Sequence, residues 1–152
     1  MIKRMVLRPI GWVFNQVPGP RHHDWGDVIS EIVLDEELEP ALDGIEGFSH
    51  LIVLFWIAGV TAKQRKTLRL HPRDREDAPL VGVFATHTQF RRNPIGITVV
   101  RLLERQGNRL RVAGLDAYNG TPVIDIKSYN PEREFVADAR IPDWMKRVQT
   151  TQ

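Results

Sequence analysis

Apolar residues in this chain come in short runs separated by turn-forming residues, without long helical stripes. Lys3–Phe14 alternates loosely and predicts a first strand. Val28–Leu34 predicts a second, and Phe48–Ala58, the most apolar stretch, a central one. Two further apolar runs, Val81–Ala85 and Gly96–Leu103, flank a polar connection that holds His87, Thr88, Gln89, Arg91, Arg92, Asn93 and Pro94. Both runs predict strands, so the connection is expected at a strand end, where loops carry function. Thr67–His71, Asn108–Leu115 and Thr121–Lys127 complete the series. The last two are joined through Asn119-Gly120, a strong turn signal. Asp35 reads as an N-cap opening a short acidic helix through Leu42, limited by Pro40. Asn15–Gly26 is expected to be loop because Pro18-Gly19-Pro20 forbids regular structure, and Pro72–Pro79 is a charged loop. The tail from Asn130 lacks strong periodicity, with Ile141–Met145 expected to pack as an arm. Short strands at this spacing imply a mainly β fold: a compact, closed or nearly closed antiparallel barrel with a short helix and a C-terminal arm.

With 152 residues, a single domain spanning 1–152 with a substantial core is expected. The absence of cysteine excludes a disulfide framework and a cysteine-ligated zinc site. The longest apolar run, Leu51–Val60, falls short of the ~20 residues that span a bilayer. Arg8 and Pro9 interrupt the N-terminal apolar run, so a cytoplasmic, unanchored protein is expected. The net charge of +2 conceals an asymmetry. Asp24 to Glu46 contains no Lys or Arg, whereas Lys63, Arg65, Lys66, Arg69, Arg73 and Arg75 arrive close together. A second basic group comprises Arg91, Arg92, Arg101, Arg105, Arg109 and Arg111. Such groups suit a phosphate backbone. No metal site is predicted from His22-His23-Asp24, because adjacent side chains on an extended chain point to opposite faces and no spaced partner follows. His50 reads as a buried histidine bonded to backbone rather than a catalytic one. A Rossmann-type nucleotide site is excluded, since there is no glycine-rich strand-to-helix turn and no alternation with long helices.

Three motifs sharpen this picture. Leu42–Leu51 reads LDGIEGFSHL, Gly82–Gly96 reads GVFATHTQFRRNPIG, and Gly114-Leu115-Asp116 is followed by GTPVIDIK at Gly120–Lys127. In this order, over most of the chain, they resemble the TsaA-like, or YaeB-like, family of tRNA methyltransferases, whose motifs are approximately LxGLExFSHL and GVFATRSxFRPNPIG. The resemblance implies a barrel that binds S-adenosylmethionine and transfers its methyl to N6 of threonylcarbamoyl-adenosine at position 37 of tRNA, acting as a homodimer. It implies cofactor contacts at Pro20, Arg21 and His22, at Ala58 and Gly59, at His87, at Ile97, and at Ala113, Gly114, Leu115 and Asp116. Under that activity Arg91, Arg92, Lys63, Arg65 and Lys66 are expected to hold the RNA. The general base stays open among Asp116, Tyr118, Asp125 and His87, and Asp125 is equally an ion-pair partner for Lys127 or an arginine. This chain has His87 where the family usually has Arg, Arg92 for Pro, Asn119 for Asp and Ser128 for Pro. An imidazole in place of a permanently charged fork changes carboxylate recognition or makes binding pH-dependent. The residues stop short of the C-terminal extension of bacterial members, so the shorter archaeal-type arrangement is the closer likeness. Two other readings share these features: a methyltransferase with a different acceptor, and a non-catalytic module that binds adenosylmethionine or RNA.

Overall fold

A computed structural model describes residues 4–19 and 24–150, the side chain of Thr150 excepted. These fall into two compact units, one of residues 1–58 and 95–129, the other of residues 59–94 and 130–152.

The first unit is a closed antiparallel barrel. Its strands are β1 (Gly11–Phe14), β2 (Ile29–Leu34), β3 (His50–Trp56), and, after the second unit's two strands, β6 (Ile95–Gln106), β7 (Arg109–Ala113) and β8 (Pro122–Ser128), in the order β1-β2-β7-β6-β3-β8. Alternation sets the core. Leu51, Val53 and Phe55 on β3 are buried and lie opposite Val100, Thr98 and Gly96 of β6. Directly opposed residues share a face, so the barrel interior collects these with Val13, Ile32, Leu110, Val112 and Val123. Gly96 is required by close approach: a Cβ there would sit 2.3 Å from the Phe55 ring.

Two register shifts re-aim side chains that simple alternation would misplace. Between Leu54 and Phe55 the partner on β8 jumps from Asp125 to Val123, leaving Ile124 as the extra residue. Ile126, opposite the buried Val53, therefore faces the core, and Asp125 and Lys127 face outward. On β6 the partner of Leu102 is Val112 and that of Glu104 is Arg111, with Leu103 extra. Arg105 thus lands on the inner face, opposite the buried Leu110. There it closes one end of the barrel, donating to the carbonyls of Leu42 (3.0 Å) and Gly107 (3.0 Å) and to the carboxylate of Glu46 (2.9 Å). Glu46's carboxyl is held below the usual carboxylate range, first by its own backbone N–H, which outweighs the opposing effect of burial, and further by Arg105.

The second unit holds β4 (Arg69–Leu70) paired with β5 (Val81–Gly82), single 3₁₀ turns, and two short helices, α1 (Pro131–Glu134) and α2 (Asp143–Thr150). Asn130 caps α1 by accepting from Glu132 N at 3.0 Å. Arg73 donates to Val148 O on α2 at 2.9 Å.

Several expected boundaries are corrected. Of the strand expected over Lys3–Phe14, Lys3 lies outside the described residues and the described part is strand only from Gly11, beyond Arg8 and Pro9, although Ile10 N still bonds Val123 O at 2.8 Å. The acidic helix is a 3₁₀ helix, Glu36–Leu42, that runs through Pro40, and the Asp35 side chain makes no cap bond. Pro40 brings no N–H, which favours the short i→i+3 pattern over an α-helix. Val81–Ala85 does not form one strand: after Gly82 the chain tightens into a 3₁₀ turn at Val83–Ala85, and β5 pairs with β4, so it is not sheet partner to β6. The tail forms α1 and α2 where no periodicity was legible. Among the described residues no helix is long and apolar enough to cross a membrane.

Candidate functional site

On the barrel, the expected cofactor residues Ile97 and Ala113–Asp116 lie on the neighbouring strands β6 and β7, on either side of the point where the two part company. Leu102 N donates to Ser49 O on the β3 side at 2.9 Å, and Gly114 N donates to Val28 O on the β2 side at 3.0 Å. Backbone groups alternate sides along a strand, so those of Ile97, Val99 and Arg101 face the β7 side of β6. Arg101 opposite Ala113 is the last β6–β7 pair. Upstream of it, Ile97 and Val99 turn their N–H and C=O toward a side where the described residues place no strand partner. Past Ala113 the chain turns away at Gly114, whose φ of +85° favours glycine, and runs into Leu115 and Asp116. The result is a notch in the sheet, with a strand edge that no described strand pairs on one side and the loop carrying Asp116 on the other. Leu115 is fully buried and anchors that loop in the barrel core. The Asp116 residue is exposed, yet burial around its carboxyl pushes its pKa up.

The loop behind Asp116 is held by residues that sequence reasoning did not single out. Asn15, directly after β1, donates to Ser30 Oγ (2.9 Å) and to Ala117 O (2.9 Å), and its own N–H bonds Asn119 Oδ1 (3.1 Å). Ser30 is buried. An asparagine oxygen accepts as a carboxylate would, so the bond from Asn15 N is one that either Asn or Asp at 119 is able to accept. Tyr118 packs on Trp25 with ring centroids 5.5 Å apart, which ties the segment entering β2 to the Asp116 loop. Pro20, Arg21 and His22 lie outside the described residues. The only signal for Asn15 is a polar residue at a strand end, because its partners Ser30 and Ala117 lie 15 and 102 residues away.

The remaining residues singled out in the sequence separate clearly. Asp125 lies outside the barrel, ion-paired with Lys127 at 3.0 Å, the alternative its strand position had left open. His50 is half-buried, its Nδ1 lies 2.8 Å from Ser49 Oγ, and its ring meets Tyr129 edge-on, so its partner is a side-chain hydroxyl and the expectation of a backbone bond is corrected. Ala58 follows β3 in the barrel unit. Gly59, with φ of +81°, opens the second unit, and His87 is exposed on a loop of that unit.

That loop is shaped from within. Arg91 is half-buried and donates through Nε to Thr88 O (2.8 Å), and through one terminal nitrogen to Val83 O (3.0 Å) and Thr86 O. One guanidinium therefore gathers three carbonyls of residues 83–88. Its neighbour Arg92 is exposed. Lys63 and Lys66 are exposed and Arg65 half-buried around the 3₁₀ turn Gln64–Lys66, where Thr61 and Gln64 bond reciprocally: Thr61 N to Gln64 Oε1 (2.9 Å), Gln64 N to Thr61 Oγ1 (3.2 Å). Arg105 and Arg109 are used inside the barrel unit, Arg105 at the barrel end and Arg109 on Glu31 at 2.6 Å, which removes Arg105 from the basic group expected to track phosphates. An open cleft of about 570 Å³ on the outer face of β1 and β2, lined by Phe14, Ile29, Glu31 and Arg111, contains none of the expected cofactor contacts.

Comparisons with known proteins agree with this architecture. An S-adenosyl-L-methionine-binding protein of Archaeoglobus fulgidus is 42% identical over 136 residues, covering 87% of this chain and 94% of its own. The tRNA (adenine(37)-N6)-methyltransferase of Escherichia coli is 42% identical over 104 residues, covering 65% of this chain and 43% of its own. A crystal structure of TrmO superposes with a TM-score of 0.73 at 32% identity, over 91% of this chain and 63% of that one. Residues 15–134 match the model of the tRNA-methyltransferase O N-terminal domain, and the chain belongs to that family.

Proposed function

We propose that this protein is an S-adenosylmethionine-dependent tRNA methyltransferase of β-barrel type whose acceptor is N6 of threonylcarbamoyl-adenosine at position 37. The observation that carries the reading is the notch between Ile97–Val99 and Ala113–Asp116. It joins free backbone donors and acceptors, able to pair with an adenine edge, to a carboxylate able to meet a ribose hydroxyl or an ammonium group. When bound, adenosylmethionine supplies a methyl carried on a positively charged sulfur. Little covalent assistance from the protein is then required, and holding the acceptor in line is the main task. The acceptor nitrogen loses a proton, and Asp116, partly desolvated beside the notch, is better suited to hold it than Asp125, which is engaged by Lys127. Arg92, Lys63 and Lys66 supply exposed cations for the phosphate backbone. The exposed Ile97 and Val99 side chains on the outer face of β6 support a homodimer, and a tRNA substrate supports a cytoplasmic location.

A second reading, a protein that binds the cofactor without turnover, draws support from the name of the Archaeoglobus relative. Calorimetric titration with adenosylmethionine, followed by transfer of labelled methyl to tRNA carrying threonylcarbamoyl-adenosine, separates the two. Saturable binding weakened by Asp116→Ala, with label on N6, is the expected outcome. Binding with no label on any tRNA favours the second reading, and no binding with or without tRNA rejects both.

A further inference from the structure

Phe84 is 86% exposed, the highest value among the exposed large hydrophobic residues described. Single exposed apolar residues are ordinary, but this one stands on a backbone held from both sides. Val83 before it is buried and donates to Leu68 O at 3.0 Å. The Val83 carbonyl accepts from Thr86 Oγ1 (2.8 Å), Thr86 N (3.2 Å) and the Arg91 guanidinium (3.0 Å). The ring is thus displayed in water on a rigid turn, and ordering it against a flat partner costs only its own two side-chain torsions.

Its surroundings are cationic. Residues 59–94 hold eight Lys and Arg against three Asp and Glu, although the whole chain carries a net charge of only +2. The three acids, Asp74, Glu76 and Asp77, lie between 74 and 77, so Gly59–His71 and Ala78–Pro94 contain none. Lys66 at the end of the 3₁₀ turn, Leu68, whose carbonyl holds Val83 N, Arg69 on β4, and His87 and Arg92 on Phe84's own loop are all exposed. An aromatic face set among cations fits a base flanked by phosphates.

The geometry points to Phe84 as a stacking platform for an unpaired nucleobase of the bound RNA, with Arg92, Lys66 and Arg69 placed to meet the adjoining phosphates. This assignment rests on the reading of RNA as substrate and adds to it a residue that acts through its ring and not through charge. The two contributions differ in their response to salt.

The experiment measures the affinity of the full chain for unfractionated tRNA and for a single-stranded oligoribonucleotide across a salt series, with Phe84→Ala, Phe84→Tyr and Arg92→Ala beside the unaltered protein. Phe84→Ala is expected to weaken binding about 5- to 150-fold at every salt concentration, the range typical of one lost base stack, with the salt slope unchanged. Phe84→Tyr is expected to restore most of the loss, and Arg92→Ala to flatten the slope by about one unit. Adenosylmethionine affinity should be the same in Phe84→Ala. Unchanged RNA affinity in Phe84→Ala overturns the assignment, as does conversion of a dimer to monomers by that substitution, which would make Phe84 a subunit contact. A stack lost on the oligoribonucleotide with no methyl transfer to tRNA leaves the assignment standing and rejects the methyltransferase reading. Absence of RNA binding by the unaltered protein rejects both.

Discussion

Asn15 and Asp116 show how single side chains build the notch at some expense to the fold. Asn15→Ala strips Ser30 Oγ and Ala117 O of their donor and leaves a buried hydroxyl with one partner fewer. A loss of about 1–3 kcal/mol is expected, the cost of an unmet buried polar group, read as a lower midpoint in urea with unchanged slope. Asp116 works the other way. Burial raises its folded pKa, so its contribution to stability is fully present below the ordinary carboxylate value and is lost as pH rises through the raised one. At neutral pH the charged form is a burden on the fold. Asp116→Asn is therefore expected to raise the melting temperature slightly at pH 7 while weakening cofactor binding. A cationic ligand group beside Asp116 favours its ionised form and pulls the pKa back down, so binding in the acid window spanned by that shift should release protons. Calorimetry in buffers of different ionisation enthalpy reads this directly, and proton uptake, or release that persists in Asp116→Asn, would remove the carboxylate from the ligand.

Among the strands, β3 and β6 depend on each other through Phe55 and Gly96. The ring occupies the space a side chain at 96 would take, and both lie on the inner face, where Phe55 is buried and has little room to yield. Gly96→Ala is expected to cost about 1–3 kcal/mol by overpacking, measurable by denaturant unfolding. A neutral result would mean that the ring swings aside. In sequence Gly96 looked like the start of an apolar run after Asn-Pro; its requirement came from a residue 41 positions away, since only pairing brings Phe55 opposite. The two register shifts on β6 and β8 have the same character. Hydrophobic alternation does not announce an extra residue at Leu103 or Ile124, yet each one decides where a charge goes: Arg105 inward to seal the barrel end, Asp125 outward to Lys127. The short 3₁₀ turn at Val83–Ala85 is likewise a product of contacts, because a β-branched and aromatic run reads as strand until Arg91 folds back on its carbonyls.

For the molecule as a whole, the outer face of β6 leaves Ile97 and Val99 58% and 48% exposed in the isolated chain. If two copies cover this surface, Val99→Asp should convert a dimer to monomers in sedimentation while leaving the far-ultraviolet spectrum unchanged; a dimer that persists would move the interface elsewhere. Much of the architecture was legible in advance. Period-two alternation in short runs, punctuated by Gly, Pro and Asn-Gly, dictates strands, and the scarcity of helical stripes leaves a barrel as the way to bury their inner faces. The motifs from Leu42 to Lys127 were sufficient to indicate the family and the position of the Asp116 loop, because motif chemistry is local and survives without coordinates. The parting of β6 from β7 at the edge of Ile97 and Val99, the inward turn of Arg105 and the clamp formed by Arg91 were not legible. Each rests on which backbone groups find partners far along the chain. A linear pattern carries the preference of each residue for water or core, and pairing register, which no single residue carries, settles where its hydrogen bonds and charges end up.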